Sequence, residues 1–190
     1  MDSTALVGLL REAVPGARFE GAVSVDVQTT VYIASDDVPA VARALRDRPG
    51  LRFGLLAELT AVDYWPREPR FEVVYVLVSL EHSLRLRLKV SLRGDAAHVA
   101  SVSDVWPAAN WLEREVWDLY GIEFDGHPDP RRLLMPEDWE GYPLRKDYPL
   151  QIRMAARTSS PLQVTEEEFR ANVEQDRLTR SGPRTEPRST

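Results

Sequence analysis

"FEVVYVLVSLEHSLRLRLKVSL", residues 71–92, holds the pattern that decides the fold. In its second half Leu84, Leu86, Leu88, Val90 and Leu92 alternate strictly with Arg85, Arg87 and Lys89. Side chains repeat every two residues only in a strand, so 84–92 is a strand with one apolar and one basic face. The first half, 71–80, is rich in Val and Tyr, and the short link "EHS" joins the two as an antiparallel hairpin. The basic face is either the solvated side of a half-buried sheet or a stripe that meets an acidic partner.

Towards the N-terminus, Leu6, Leu9, Leu10 and Ala13 form the stripe of a first helix, ended by "PG" at 15–16. Residues 18–34 read as extended, through "VSVDV" and "TTVYIAS". A second helix begins near Asp36 and Asp37, which suit an N-cap, and Pro39 is tolerated in its first turn. Val38, Val41, Ala42 and Leu45 supply its apolar side, and a strand follows over 52–63. The order α-β-β-α-β-β-β contains no glycine-rich strand-to-helix turn. It predicts an α+β fold, a mainly antiparallel sheet with helices packed on it, rather than a parallel nucleotide-binding sheet.

After residue 103 the character changes. A helix over 107–120 takes Pro107 into its first turn and stops at Gly121, the residue suited to a left-handed C-terminal position. Then comes "HPDPRRLLMPEDWEGYPLRKDYP", 127–149, whose prolines forbid a continuous helix or a central strand. The chain thus divides into an α+β domain (1–103), a helix (104–122), a proline-rich extended interaction arm (123–160), and a weak helix with a disordered tail (161–190). In the last part Thr165 and Glu168 fit a capping box, while "TRSGPRTEPRST" has a disordered composition.

Composition narrows function. The chain has 190 residues and no cysteine, which excludes disulfides, thiolate metal ligands and Cys-held clusters. Its net charge is −6 and gives no sign of a nucleic-acid partner. No apolar run approaches the ~20 residues of a spanning helix. The opening "MDSTALVGLLREAV" lacks the basic start of a secretory signal, so a soluble protein made where it works is expected.

The helix "NWLEREVWDLY" carries four ionisable groups, Glu113, Arg114, Glu115 and Asp118. Arg114 and Asp118 stand at i and i+4, a pair that contributes only ~0.3–0.5 kcal/mol when exposed. Trp111, Glu115 and Asp118 share one face. Leu112, Val116, Leu119 and Tyr120 form an adjoining apolar stripe. Three readings compete: solvated decoration, an acid–base site using Glu115 with Asp118 or His127, and an interface. The first two explain less. There is no nucleophile motif and no phosphate-cradling loop, and His82, His98 and His127 show no local metal spacing. Trp106, Trp111, Trp117 and Trp139 cluster in and after this helix, each with ~150–250 Å² to bury. An arm so rich in proline cannot hide them alone, so it is expected to find shelter only on neighbouring polypeptides.

The stretch "AANWLEREVWDLYGIEFDGHPDPRRLLMPEDWEGYPLRKDYPL", 108–150, resembles the signature of the 30-kDa subunit of respiratory complex I. It is carried by Trp111, Glu113-Arg114-Glu115, Asp118, Leu119-Tyr120, Gly121 and His127. It continues through Arg131-Arg132, Asp138-Trp139, Gly141, Pro143 and Arg145-Lys146-Asp147-Tyr148-Pro149. "LTAVDY" (59–64) and the hairpin fit more loosely. The resemblance implies a peripheral-arm subunit at the cytoplasmic face of a bacterial membrane, reaching the membrane only through its complex. It would bind no cofactor itself. NADH, FMN, iron–sulfur clusters and quinone would sit in partner subunits, and its neighbours would be chiefly the 49-kDa quinone-site and 20-kDa cluster-bearing subunits. The charges of the motif would then be ion pairs inside or across the assembly. The equivalent subunit of a related membrane-bound hydrogenase is the alternative.

Overall fold

The structure, a computed structural model, describes residues 3–22, 26, 28–149 and 171. Residues 1–148 form one compact unit. Helix α1 (Ser3–Ala13) leads through β1 (Phe19–Ala22) and β2 (Thr30–Ile33) to a short 3₁₀ turn, Ser35–Asp37, and α2 (Val38–Asp47). Strands β3 (Leu55–Asp63), β4 (Phe71–Ser79) and β5 (Leu84–Leu92) follow, then β6 (His98–Ala100), α3 (Ala109–Tyr120) and β7 (Glu123–Asp125).

The main sheet has the order β1-β2-β5-β4-β3; β2 runs parallel to β5, and the other pairs are antiparallel. The α+β, mainly antiparallel architecture is as expected. The hairpin pairs Val73 with Val90, Tyr75 with Leu88 and Leu77 with Leu86. All six are fully buried, so the alternation at 84–92 does select the core face. The basic face finds partners within the chain. Lys89 pairs with Glu72 at 2.7 Å, and Arg87 binds Asp26 and, at 2.7 Å, Gln28.

Three details differ from the sequence reading. Asp37 precedes α2 but makes no side-chain cap; its carboxylate accepts the Arg18 N–H at 3.0 Å and ties β1 to the helix instead. The helix expected over 107–120 begins at Ala109, because Pro107 and Ala108 form a preceding turn. Residues 123–125, expected to open the arm, are strand β7, paired in parallel with β6. "VSVDV", the end of the arm beyond 149 and, apart from helical Ala171, the expected weak helix and tail lie outside the described residues.

Helix α3 lies against β3. Gly121 ends it at φ +69°, in the left-handed region, where its N–H donates to the Trp117 carbonyl at 2.8 Å. The missing side chain also makes room: a Cβ here would stand 2.3 Å from Cε2 of Tyr142. One glycine thus turns the chain and lets the arm's ring lie on the turn.

Candidate functional site: the helix and the arm folded on it

Helix α3 buries its charges more deeply than its apolar stripe. Glu113, Arg114 and Asp118 are buried with Val116, while Leu112, Leu119 and Tyr120 are half-exposed. A helix does this only if each charge finds partners, and three of the four do so inside the chain.

Asp118 is 0% exposed. Its Oδ2 accepts three successive backbone N–H groups, from Leu133 at 3.0 Å, Leu134 at 2.7 Å and Met135 at 2.8 Å. Its Oδ1 meets the Arg132 guanidinium at 2.7 Å. Burial alone would raise this carboxyl's pKa. The four donors outweigh it and hold the group below the ordinary carboxylate range. Arg132 also donates to the carbonyls of Trp139, at 2.9 Å, and Gly141, at 3.3 Å. The helical pair expected between Arg114 and Asp118 does not form. Arg114 turns to the arm as well, donating to the carbonyls of Arg131 at 3.0 Å and Arg132 at 3.1 Å.

Arg145 closes the helix from the arm's far side. It donates to the Tyr120 carbonyl, to the Gly121 carbonyl at 3.2 Å and to Asp95 O at 3.0 Å. Its guanidinium lies 4.7 Å from the Tyr142 ring and 5.2 Å from that of Phe71. A cation on the last carbonyls of a helix complements its dipole.

A second buried carboxylate anchors the arm's end. Asp63 receives Arg70 at 3.0 Å, the Trp65 N–H at 2.9 Å and the Lys146 N–H at 2.9 Å. Arg70, 3% exposed, also pairs with Asp95 and, at 2.8 Å, with Asp147. Neither Asp63 nor Arg70 stood out in the sequence. Their one signal is that Arg70 and Asp63 bracket the turn of β3–β4 and so must face each other at its base.

Glu113 and His127 lie beside a cavity of about 420 Å³. Glu113 is 0% exposed and accepts Ser101 Oγ at 2.6 Å and the Val102 N–H at 2.7 Å. Burial pushes its pKa up to about 7 against those two bonds, with Asp104 adding to the rise. His127 Nδ1 accepts the Asp129 N–H at 3.0 Å, and Nε2 donates to Asn110 O at 3.0 Å. Every acid–base atom that borders the cavity on these two residues is therefore already bound.

The remaining expected residues are spread along this surface. Arg131 pairs with Asp129 in solvent. Asp138, Lys146 and Pro149 are exposed, Trp139 and Pro143 are half-buried, and Tyr148 donates to Glu140 O at 3.2 Å. Gly141 takes φ +79° beneath the Tyr148 ring. Trp111 is 58% exposed with Arg114 5.2 Å from its ring, and Leu134 is 60% exposed. The expectation that the arm is sheltered only by neighbouring polypeptides is therefore corrected for 126–148. Buried carboxylates and guanidinium groups satisfy its backbone, and Trp106 is in the core with Nε1 donating to Phe53 O at 2.9 Å.

Comparison with known proteins gives this arrangement a family. Residues 31–153 match the family model for the respiratory-chain NADH dehydrogenase 30 Kd subunit. The C-subunit of NADH-quinone oxidoreductase from Roseiflexus sp. (strain RS-1) is 46% identical over 158 residues, 83% of this chain and 90% of that protein. The protein of the same description from Geobacter sulfurreducens is 50% identical over 125 residues, 65% of this chain and 76% of its own. Among solved structures, a trypsin-resistant fragment of Nqo5 is 31% identical with a TM-score of 0.54, covering 68% of this chain and 99% of the fragment. A chain of the membrane-bound sulfane sulfur reductase, an archaeal respiratory membrane complex, is 26% identical with a TM-score of 0.65, covering 98% and 96%. The helix and the arm that folds back on it lie almost wholly within the matched residues, and the chain belongs to the family of the 30-kDa subunit of respiratory-chain NADH dehydrogenase.

Proposed function

We propose that this chain is a non-catalytic organising subunit of the peripheral arm of proton-translocating NADH:quinone oxidoreductase. In this reading it binds no cofactor; NADH, FMN, iron–sulfur clusters and quinone are held by its partners. It seats the 49-kDa quinone-site subunit and the 20-kDa cluster-bearing subunit on α3 and the arm. It reaches the membrane through them, at the cytoplasmic face. No described helix is long and apolar enough to cross a membrane.

The observation that carries this reading is the Asp118 nest. It folds a proline-rich arm onto α3 with its amides satisfied, yet leaves Trp111, Leu134 and Leu144, 47% exposed, facing outward. An arm held rigid before association loses little entropy on docking, and exposed Trp and Leu supply the apolar area. The enzyme alternative is disfavoured by the bonded state of Glu113 and His127. With no cysteine in the sequence, a Cys-ligated cluster has no ligands here.

Purifying the chain from its own membranes, with mass spectrometry of what accompanies it, tests the proposal. The 49-kDa and 20-kDa subunits should be recovered with it. A lone monomer that turns over a substrate would contradict it. The likeness to a chain of an archaeal respiratory complex supports a second reading, the same organising role in a complex with another electron donor. Absence of a flavin-binding NADH module among the recovered proteins would select that second reading.

A further inference from the structure

Three of the four charges on α3 are consumed within the chain, and the fourth is not. Glu115 is half-buried, yet among the described residues it accepts no hydrogen bond and meets no cation. A carboxylate that has lost part of its hydration without gaining donors is out of keeping with Glu113 and Asp118, each of which is saturated. Its neighbours are equally unfinished. Trp111 stands one turn before Glu115 on the same side of the helix and is 58% exposed. Leu134, 60% exposed, is pinned by its amide to Asp118 on the following turn. One strip of surface therefore carries an aromatic ring, an unpaired carboxylate and an exposed leucine.

We infer that Glu115 receives a cationic side chain, arginine or lysine, from a neighbouring subunit that lies across Trp111 and Leu134. Charge complementarity selects this occupant. An arginine could pair with the carboxylate while its guanidinium stacks on the indole, and both contacts strengthen as water leaves. An apolar segment alone would bury the carboxylate without a partner, which is strongly unfavourable. Arg114, 5.2 Å from the Trp111 ring, cannot serve, because its donors face the carbonyls of Arg131 and Arg132. This assignment rests on the docking role proposed above and names the chemistry of one contact within it.

The test replaces Glu115 in the intact complex in its own host and measures the partners retained after purification at physiological ionic strength. Glu115→Gln should lower retention about tenfold or more, as removal of one member of a desolvated pair does, and Glu115→Lys further. The isolated Glu115→Gln chain should melt with the wild type, since the charge has no partner in its own fold. Wild-type retention in both variants would overturn the inference. In that case, loss of partners in Trp111→Ala would leave docking on this face intact and remove only the cation. A lower melting temperature for isolated Glu115→Gln would also overturn it, placing the charge's role inside the chain. Wild-type dimers that Glu115→Lys abolishes would make the occupant a second copy and refute the neighbour. A wild-type chain that retains no other subunit would refute the docking role itself.

Discussion

Leu134 donates its backbone N–H to Asp118 Oδ2 at 2.7 Å, across 16 residues of sequence, while its side chain points into solvent. The same carboxylate holds Leu133 and Met135, so one side chain fixes a whole turn of the arm. Asp118→Asn offers one acceptor oxygen in place of two charged ones and strands Arg132. It should destabilise the isolated chain by about 3 kcal/mol, read from chemical denaturation. Because the folded carboxyl lies below its ordinary range, its contribution is complete above about pH 4 and is lost as pH falls further. A wild-type denaturation midpoint for the variant would count against the clamp.

Glu113 should give the opposite pH dependence. The folded chain keeps this group protonated up to about pH 7, whereas an ordinary glutamate, at 4.5, has already released its proton. The folded state thus binds more protons between those values, and stability falls as pH rises through that window. The whole effect is about 3 kcal/mol. Glu113→Gln should remove this slope and be more stable than the wild type at pH 8. Parallel melting curves for the two proteins from pH 5 to 8 would refute the assignment.

Gly121 and Tyr142 form a pair that a double-mutant cycle can read. Gly121→Ala meets both a left-handed φ and the Tyr142 ring, and should cost more than the ~1 kcal/mol of the backbone alone. In a Tyr142→Ala background the clash is gone and only the backbone cost should remain. Equal penalties in both backgrounds would mean that the ring yields freely.

Arg70 is the cation shared by Asp63, Asp95 and Asp147. Arg70→Met leaves the buried Asp63 carboxylate with two N–H donors and no counter-charge, and should cost ~3–5 kcal/mol. Protease should then cut within 140–148 faster than in the wild type. An unchanged cleavage pattern would show that the Lys146 N–H bond suffices.

The sheet was legible because β4 and β5 are nine residues long, enough for period-two alternation to show at Leu84–Leu92. Gly121 was legible because helix termination is local chemistry. Strands β6 and β7, of three residues each, are too short to carry a pattern. The charges of α3 were visible but not their partners. Spacing on the helix suggested Arg114 with Asp118, whereas the contacts that form, Asp118 to Leu133–Met135 and Arg114 to Arg131–Arg132, exist only once the arm folds back. A clue was present in Leu133, Leu134 and Met135, three adjacent amides in a proline-bounded stretch with no strand to join, which had to find an acceptor.

The most direct test of the arm's preorganisation is hydrogen exchange at the amides of Leu133, Leu134 and Met135 in the isolated chain. If Asp118 holds the arm on α3 without help from other subunits, these three amides should be protected together and lose protection together in Asp118→Asn. Exchange at the rate of an unstructured peptide in the wild-type chain would show that the arm is ordered only by its partners.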